Sequence, residues 1–194
     1  FIRAELGYLV PKLPTHRDVY EYLVNPDTHS FQPWADKVPD FSYSLNTPFF
    51  NILVPTSDTT KLAYLLDTLV TSGKNVLMAG ETGVGKTVIV QDYMRQAAAK
   101  EGADGYLTAS VMLSAATSSL NLQNFIESKL YSIRNNLLGA PVGKKVILFV
   151  DDINMPQKDK YGAQPPLELL RQLIDFGGFY DRKKLFLKRV QDVI

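Results

Sequence analysis

Gly80-Glu81-Thr82-Gly83-Val84-Gly85-Lys86-Thr87 fits the spacing G-x-x-x-x-G-K-[ST] at every fixed position. Glycines in such a run let the backbone take dihedrals that a Cβ forbids and wrap close to phosphate. Successive N–H groups then form an anion-binding concavity at a helix start, where the helix dipole adds to the attraction. The octet predicts a nucleoside triphosphate site contacted by Gly80, Glu81, Thr82, Gly83, Val84, Gly85, Lys86, Thr87 and Val88. Lys86 is placed to reach the β- and γ-phosphates, and the Thr87 hydroxyl to ligate Mg²⁺.

The flanks supply the context that the motif requires. Asn75-Val76-Leu77-Met78-Ala79 is a short apolar run between Gly73 and Gly80, which predicts a buried parallel strand. Downstream, Val88, Ile89, Tyr93, Met94 and Ala97 recur at helical spacing until Lys100 and Gly102. The expected order is strand, glycine loop, helix.

A second half-site lies further along. Gly143-Lys144-Lys145 leads into Val146-Ile147-Leu148-Phe149-Val150, the strongest strand in the sequence, and Asp151 and Asp152 follow at once. An apolar strand ending in an acid is the Walker B arrangement, which delivers a carboxylate beside the P-loop. Asp151 is expected to hold Mg²⁺ through water, since that ion keeps much of its hydration shell. Asp152 is expected to orient or deprotonate the attacking water, with Lys86 as its catalytic partner on phosphate. An Asp pair after a strand also occurs in plain turns, and Asn154 and Pro156 suit one. Many ring-forming P-loop ATPases carry Glu at the second position. The shorter Asp152 withdraws the carboxylate by about 1 Å, a misplacement worth on the order of 10²-fold in rate. Binding is expected to survive this; hydrolysis is expected to be slow or absent.

The remaining elements complete an alternating pattern. Asp58 is expected to cap a helix whose Leu62, Leu65, Leu66, Leu69 and Val70 form one stripe, with Gly73 as its stop. Tyr106 to Leu113 predicts a strand, and residues 121–136 a helix with Leu122, Phe125, Ile126, Leu130 and Ile133 on its buried face. Pro165-Pro166 opens another helix, buried through Leu167, Leu170, Leu173 and Ile174 and ended by Gly177-Gly178. Strands alternating with helices give an α/β fold, a parallel sheet flanked by helices, with ligands at the carboxyl ends of the strands. Leu53 and Val54 precede the first helix and either line an adenine pocket or make a plain core contact. Lys183, Lys184, Lys188 and Arg189 read as a solvated basic face, and Arg171 and Arg182 as surface residues.

The bulk properties bound the rest. A chain of 194 residues with 45% hydrophobic content suits one domain with or without an extension. A net charge of +1 gives no reason to expect nucleic acid or a membrane surface as partner. Zero cysteines exclude disulfides and thiolate metal sites. His16 and His29 lie in a polar, proline-rich stretch and read as surface residues. Six of the 11 prolines (Pro11, Pro14, Pro26, Pro33, Pro39 and Pro48) fall early, mixed with aromatics. That texture predicts an extended, docked strap over 1–48, followed by a P-loop domain over 49–194. The chain starts at Phe1 and stops at Val193-Ile194 in what reads as the opening of a strand. It is therefore expected to be a piece of a longer polypeptide, with its last domain incomplete.

Several strings resemble one family. Phe31-Gln32-Pro33-Trp34, Val38-Pro39-Asp40-Phe41 and Phe49 through Thr60 look like the entry to the third AAA+ module of dynein heavy chains. Val150-Asp151-Asp152-Ile153-Asn154-Met155-Pro156, Tyr161-Gly162-Ala163-Gln164-Pro165-Pro166, Leu169-Leu170-Arg171-Gln172 and Gly177-Gly178-Phe179-Tyr180-Asp181 are similar to the same module. The Asp-Asp form with Asn-Met-Pro looks more like axonemal dyneins than the cytoplasmic type. The resemblance covers residues 31–194. It implies an AAA+ large subdomain in a six-module ring of a microtubule motor, with coiled coil elsewhere in the chain. It implies that this module binds ATP or ADP with Mg²⁺ and regulates the main motor site in another module. Neighbouring modules, the microtubule and other dynein subunits are the implied partners, in the cytoskeleton of the cytoplasm or the axoneme of a cilium or flagellum. Sensor residues and an arginine finger are expected outside this segment. An independent AAA+ remodelling ATPase or a midasin-like giant ATPase remains the alternative.

Overall fold

A computed structural model describes residues 14, 18–25, 27–41, 52–100 and 105–194. The chain divides into two compact units, Phe1–Thr68 and Leu69–Ile194, the division falling within the first long helix.

In the first unit, Tyr22–Asn25 (β1) and Ser30–Pro33 (β2) form an antiparallel hairpin bracketed by 3-10 turns at Val19–Glu21 and Trp34–Lys37. The hairpin loop folds on the Asn25 side chain, whose Oδ1 accepts from the Asp27 amide at 2.9 Å. His29, with φ 50°, is exposed as expected; His16 lies outside the described residues, as does the expected boundary near residue 48. Trp34 is buried and stacks edge-on against Tyr64, 5.4 Å between ring centroids. Such pairs add modestly to the burial of the rings themselves.

Helix α1 (Ser57–Thr71) starts differently from expectation. Thr56, not Asp58, is the cap: its hydroxyl accepts from the Thr59 amide at 3.2 Å, and Thr59 Oγ1 accepts from the Thr56 amide at 2.7 Å. This reciprocal pair is a capping box closed by threonine. Asp58 sits in the first turn instead and pairs with Lys61. The helix stops at Gly73 as expected. Gly73 has φ 68°, and the Lys74 and Gly73 amides donate to Leu69 and Val70 carbonyls, the bonds of a Schellman motif.

The second unit is built on a parallel pair. Tyr106–Met112 (β3) and Lys145–Asp151 (β6) run in register from Tyr106↔Lys145 to Met112↔Asp151. The far edge of β6 is occupied by Asp192–Ile194, through a parallel bridge Val146↔Val193 and a Leu148 N–H bond to the Ile194 carbonyl at 2.8 Å. With both edges of β6 filled, residues 75–79 have no strand partner among the described residues. The strand expected there does not form, and Leu77 is 77% exposed.

Helices flank the pair. On one face of β6, Val146 clusters with Ala109 and Ala140, while Leu148 and Val150 pack on a core of Leu113, Leu122, Ile126, Leu169, Leu170 and Phe179. Those residues come largely from α3 (Ser119–Lys129) and α4 (Pro165–Phe176). On the other face Ile147 is buried, and helix α2 (Lys86–Ala99) packs against β3 and β6, burying Ile89, Val90, Tyr93, Met94 and Ala97. Four of the five expected stripe residues of α2 are buried; Val88 is 41% exposed and Val90 takes its place.

Helix α3 is shorter than its apolar spacing predicted. It ends at Lys129, and residues 131–136 turn into a hairpin of Tyr131–Arg134 (β4) and Leu137–Gly139 (β5). Ile133, expected on the buried helix face, is 43% exposed in β4. Tyr131 and Ile133 favour strand, and Asn135-Asn136 suits the turn between. β5 then pairs parallel with Leu187–Gln191 (β8), which pairs antiparallel with Gly178–Tyr180 (β7), giving a second sheet ordered β4-β5-β8-β7. At Gly178 any Cβ would overlap the Lys188 carbonyl oxygen, so close backbone approach requires glycine there.

Of the expected solvated basic face, Lys183, Lys184 and Arg189 are exposed and Lys188 is not. Lys188 Nζ meets Asp181 at 2.8 Å and Glu127 at 3.0 Å, with only 18% of its side chain exposed. Arg182 donates to Gln123 Oε1 at 2.7 Å and Ser119 Oγ at 2.9 Å, so it ties the hairpin to α3. Arg171 is an exposed surface residue paired with Glu168 and Asp175.

Candidate functional site

The glycine loop leads directly into α2. Gly83 and Gly85 both have φ 84°, a left-handed conformation in which a Cβ is strained, and Gly85 is the N-cap of the helix. No side chain caps this end, so the first-turn N–H groups face outward beside the dipole's positive end. Lys86 folds back along the loop, its Nζ donating to the Gly80 carbonyl at 3.0 Å and the Glu81 carbonyl at 2.5 Å. Gly80 through Val84 are exposed and Val88 is 41% exposed, so this face of the loop is open to a ligand.

Strand β6 carries the other half to the same place. Thr87 Oγ1 donates to Asp151 Oδ2 at 2.9 Å across 64 residues of sequence. The second oxygen, Asp151 Oδ1, accepts from the Asp152 amide at 3.0 Å. Asp151 is anchored from behind, because its carbonyl accepts from Leu113 N–H at 3.0 Å just past the end of β3. The two predicted metal-binding residues therefore touch, although they come from a helix and a strand that are separate in sequence.

Asp152 leaves the strand with φ 52°, left-handed, and is exposed. Asp and Asn are the non-glycine residues that tolerate this region best. A turn follows, closed by Met155 N–H on the Asp152 carbonyl at 2.9 Å. The sequence signal for it, Asp-Asp before Asn154 and Pro156, also suits a plain turn; both readings of the pair describe the same segment.

Oxygen donors of this kind, one hydroxyl and one carboxylate oxygen 2.9 Å apart, suit a hard cation such as Mg²⁺. No group of three or more His, Cys, Asp or Glu able to hold a metal occurs among the described residues. The donor set fits an ion that takes its other ligands from water and phosphate, not one held by protein alone. Leu53 and Val54 belong to the first compact unit, with Val54 53% exposed.

A glycine loop with left-handed turns, a lysine and threonine at the start of a helix, and an aspartate delivered by a parallel strand define a P-loop domain of the α/β class. The chain belongs to the family described as the P-loop containing dynein motor region, whose model matches residues 41–194. It is 48% identical over 182 residues to human dynein axonemal heavy chain 6, covering 94% of this chain and 4% of that protein. It is 40% identical over 193 residues to mouse dynein axonemal heavy chain 2, covering 99% of this chain and 4% of the relative. To human dynein axonemal heavy chain 1 it is 45% identical over 150 residues, covering 77% of this chain and 3% of that protein. The chain thus spans only a few per cent of the length of these relatives. It is an AAA+ dynein motor region, and these relatives are axonemal heavy chains. No helix among the described residues is long and apolar enough to cross a membrane.

Proposed function

We propose that this segment is a regulatory nucleotide-binding module, the third of the AAA+ ring, in an axonemal dynein heavy chain. The observation that carries the binding reading is the 2.9 Å bond between Thr87 and Asp151, which joins the two halves of a Mg²⁺·nucleotide site. Gly80 through Thr87, with Val88, cradle phosphate through backbone N–H groups. Lys86 moves from the Gly80 and Glu81 carbonyls onto β- and γ-phosphate oxygens, where its charge is better used. Thr87 and Asp151 hold Mg²⁺, and bound Mg²⁺ supplies neutralisation of charge on the phosphates. Leu53 and Val54 border the adenine. Residues 1–48 form the strap from the preceding module, and 49–194 the large subdomain.

Asp152 is the group available to orient or accept a proton from attacking water, and it turns over nucleotide slowly or not at all. Its short arm and left-handed backbone support that reading. The partners are neighbouring modules of the same chain, other dynein subunits and, through another region, the microtubule; the setting is the axoneme of a cilium or flagellum. The main motor site is regulated by whether this site holds ATP or ADP. An independent remodelling ATPase or a midasin-like giant ATPase is disfavoured by the three relatives named above, which are axonemal heavy chains.

Single-turnover release of γ-phosphate from the full-length chain, with the main motor site disabled, tests the chemistry. The expected result is bound nucleotide with release slower by about 10²-fold than at a Glu-bearing site. Release at motor rates from this site would overturn the regulatory reading.

A further inference from the structure

We propose that Gln164 is a positioning residue for the Asp151–Asp152 end of β6, acting through the loop that follows it; the role in metal binding rests on the nucleotide reading above. Gln164 occupies the N-cap of α4, a position from which a side chain ordinarily accepts from the first helical N–H groups. It makes no such bond here. The next two residues, Pro165 and Pro166, have no N–H to offer, and the Leu167 and Glu168 amides are taken by the Gln164 backbone carbonyl at 2.9 and 3.2 Å. The side chain is therefore released from capping.

Its amide reaches back instead. Nε2 donates to the Asn154 carbonyl at 3.2 Å and the Pro156 carbonyl at 2.6 Å, which uses both of its protons. Pro156 is buried although its neighbours on both sides are exposed, so the tie pins the one inward point of the loop. Between the tied ends the chain is closed by its own bonds. The Asp159 amide donates to the Ala163 carbonyl at 2.8 Å, and Asp159 Oδ1 accepts from the Tyr161 and Ala163 amides at 2.8 and 2.9 Å.

The tied carbonyls lie two and four residues after left-handed Asp152. Left-handed Asp152 persists only where its surroundings fix it, and the fixing contacts are its turn to Met155 and, beyond, the Gln164 tie at 154 and 156. Removing the donors from Gln164 frees Asn154–Pro156. Asp152 then relaxes from its left-handed well, and its N–H no longer holds Asp151 Oδ1. Gln164 thus acts on the metal-facing carboxylate through backbone, without touching a ligand. Partners that orient a metal-binding carboxylate typically change metal affinity by about 10- to 100-fold.

The test uses the full-length heavy chain with the P-loop lysines of the other modules substituted. Gln164→Glu and Gln164→Met both lack the donors; Gln164→Lys restores them with an ammonium. Fluorescent ADP affinity is measured with Mg²⁺ and in excess EDTA, and hydrogen exchange of residues 152–156 is followed in nucleotide-free chain. The expected result is about tenfold weaker binding with Mg²⁺ in the Glu and Met variants, unchanged binding in EDTA, and faster exchange at 152–156. Gln164→Lys should stay near wild type in all three. An unchanged Mg²⁺ effect overturns the proposal, as does a Lys variant no better than Met. Equal losses with and without Mg²⁺, accompanied by a lower melting temperature, reduce Gln164 to fold support and overturn it too. Wild-type chain that binds no nucleotide sinks the nucleotide reading instead, and unchanged exchange at 152–156 in the variants then sinks the tie as well.

Discussion

Gly85 and Asp152 both sit in left-handed backbone at the site, one because it lacks a Cβ and one despite having it. Gly85→Ala is expected to cost about 1–2 kcal/mol from the φ of 84°, read by thermal unfolding, with nucleotide affinity falling in parallel. At Asp152 the substitution that separates chemistry from conformation is Asn, which keeps the left-handed preference and removes the base. Asp152→Asn should leave nucleotide affinity within about twofold and slow any single-turnover release by about 10²-fold. Release unchanged in that variant would mean that Asp152 is a turn residue only. Asp152→Glu gains reach but loses the short side chain that suits this backbone, so a longer arm alone is not expected to restore fast turnover. The octet and the acid pair were legible because each is a local pattern. The left-handed Asp152 and the Gln164 tie were not, since both depend on where the loop 152–164 returns.

Among the elements, those decided by local chemistry came out as read. α2 keeps its stripe except that Val90 replaces Val88, Gly73 ends α1 and Pro165-Pro166 open α4. The misreadings have physical causes. Ile133 falls seven residues after Ile126, so helical spacing continued on paper past Leu130, while strand-favouring Tyr131 and Ile133 were free to pair with β5. Residues 75–79 look like a buried strand, but both edges of β6 are taken and no other described strand pairs with them. Thr56→Ala should cost α1 about 1 kcal/mol, since it removes the capping box that sequence reading assigned to Asp58. Amide exchange in the first turn of α1 is the measurement, and no change there would contradict the cap.

The hairpin clasp carries a pH signature. Hydrogen bonds from Lys188 and from the Lys184 and Lys183 amides hold the Asp181 carboxyl well below the usual carboxylate range. The Asp181 and Glu127 carboxylates raise Lys188 against the opposing effect of burial. Because the folded Asp181 value is depressed, its contribution is full above the unfolded value of about 3.9 and is lost as pH falls through the folded value. For Lys188 the contribution is full below about 10.4 and is lost as pH rises through the raised value. Protection of residues 178–191 from hydrogen exchange, corrected for intrinsic rates, should be flat from about pH 5 to pH 9 and fall below pH 4. Lys188→Met should lower it across the flat range; a steep change near neutrality would contradict the clasp.

For the molecule as a whole, the described chain brings Thr87 and Asp151 together at the end of β6, in a segment that matches a few per cent of each axonemal relative. The function proposed for the P-loop is to bind Mg²⁺·nucleotide through Lys86 and the Thr87–Asp151 pair. The most direct measurement is bound nucleotide per chain, by acid extraction and chromatography, in full-length wild type and Lys86→Ala. Lys86→Ala should lose one nucleotide equivalent while the chain keeps its fold by circular dichroism. Unchanged occupancy in a folded Lys86→Ala chain would contradict the proposed function.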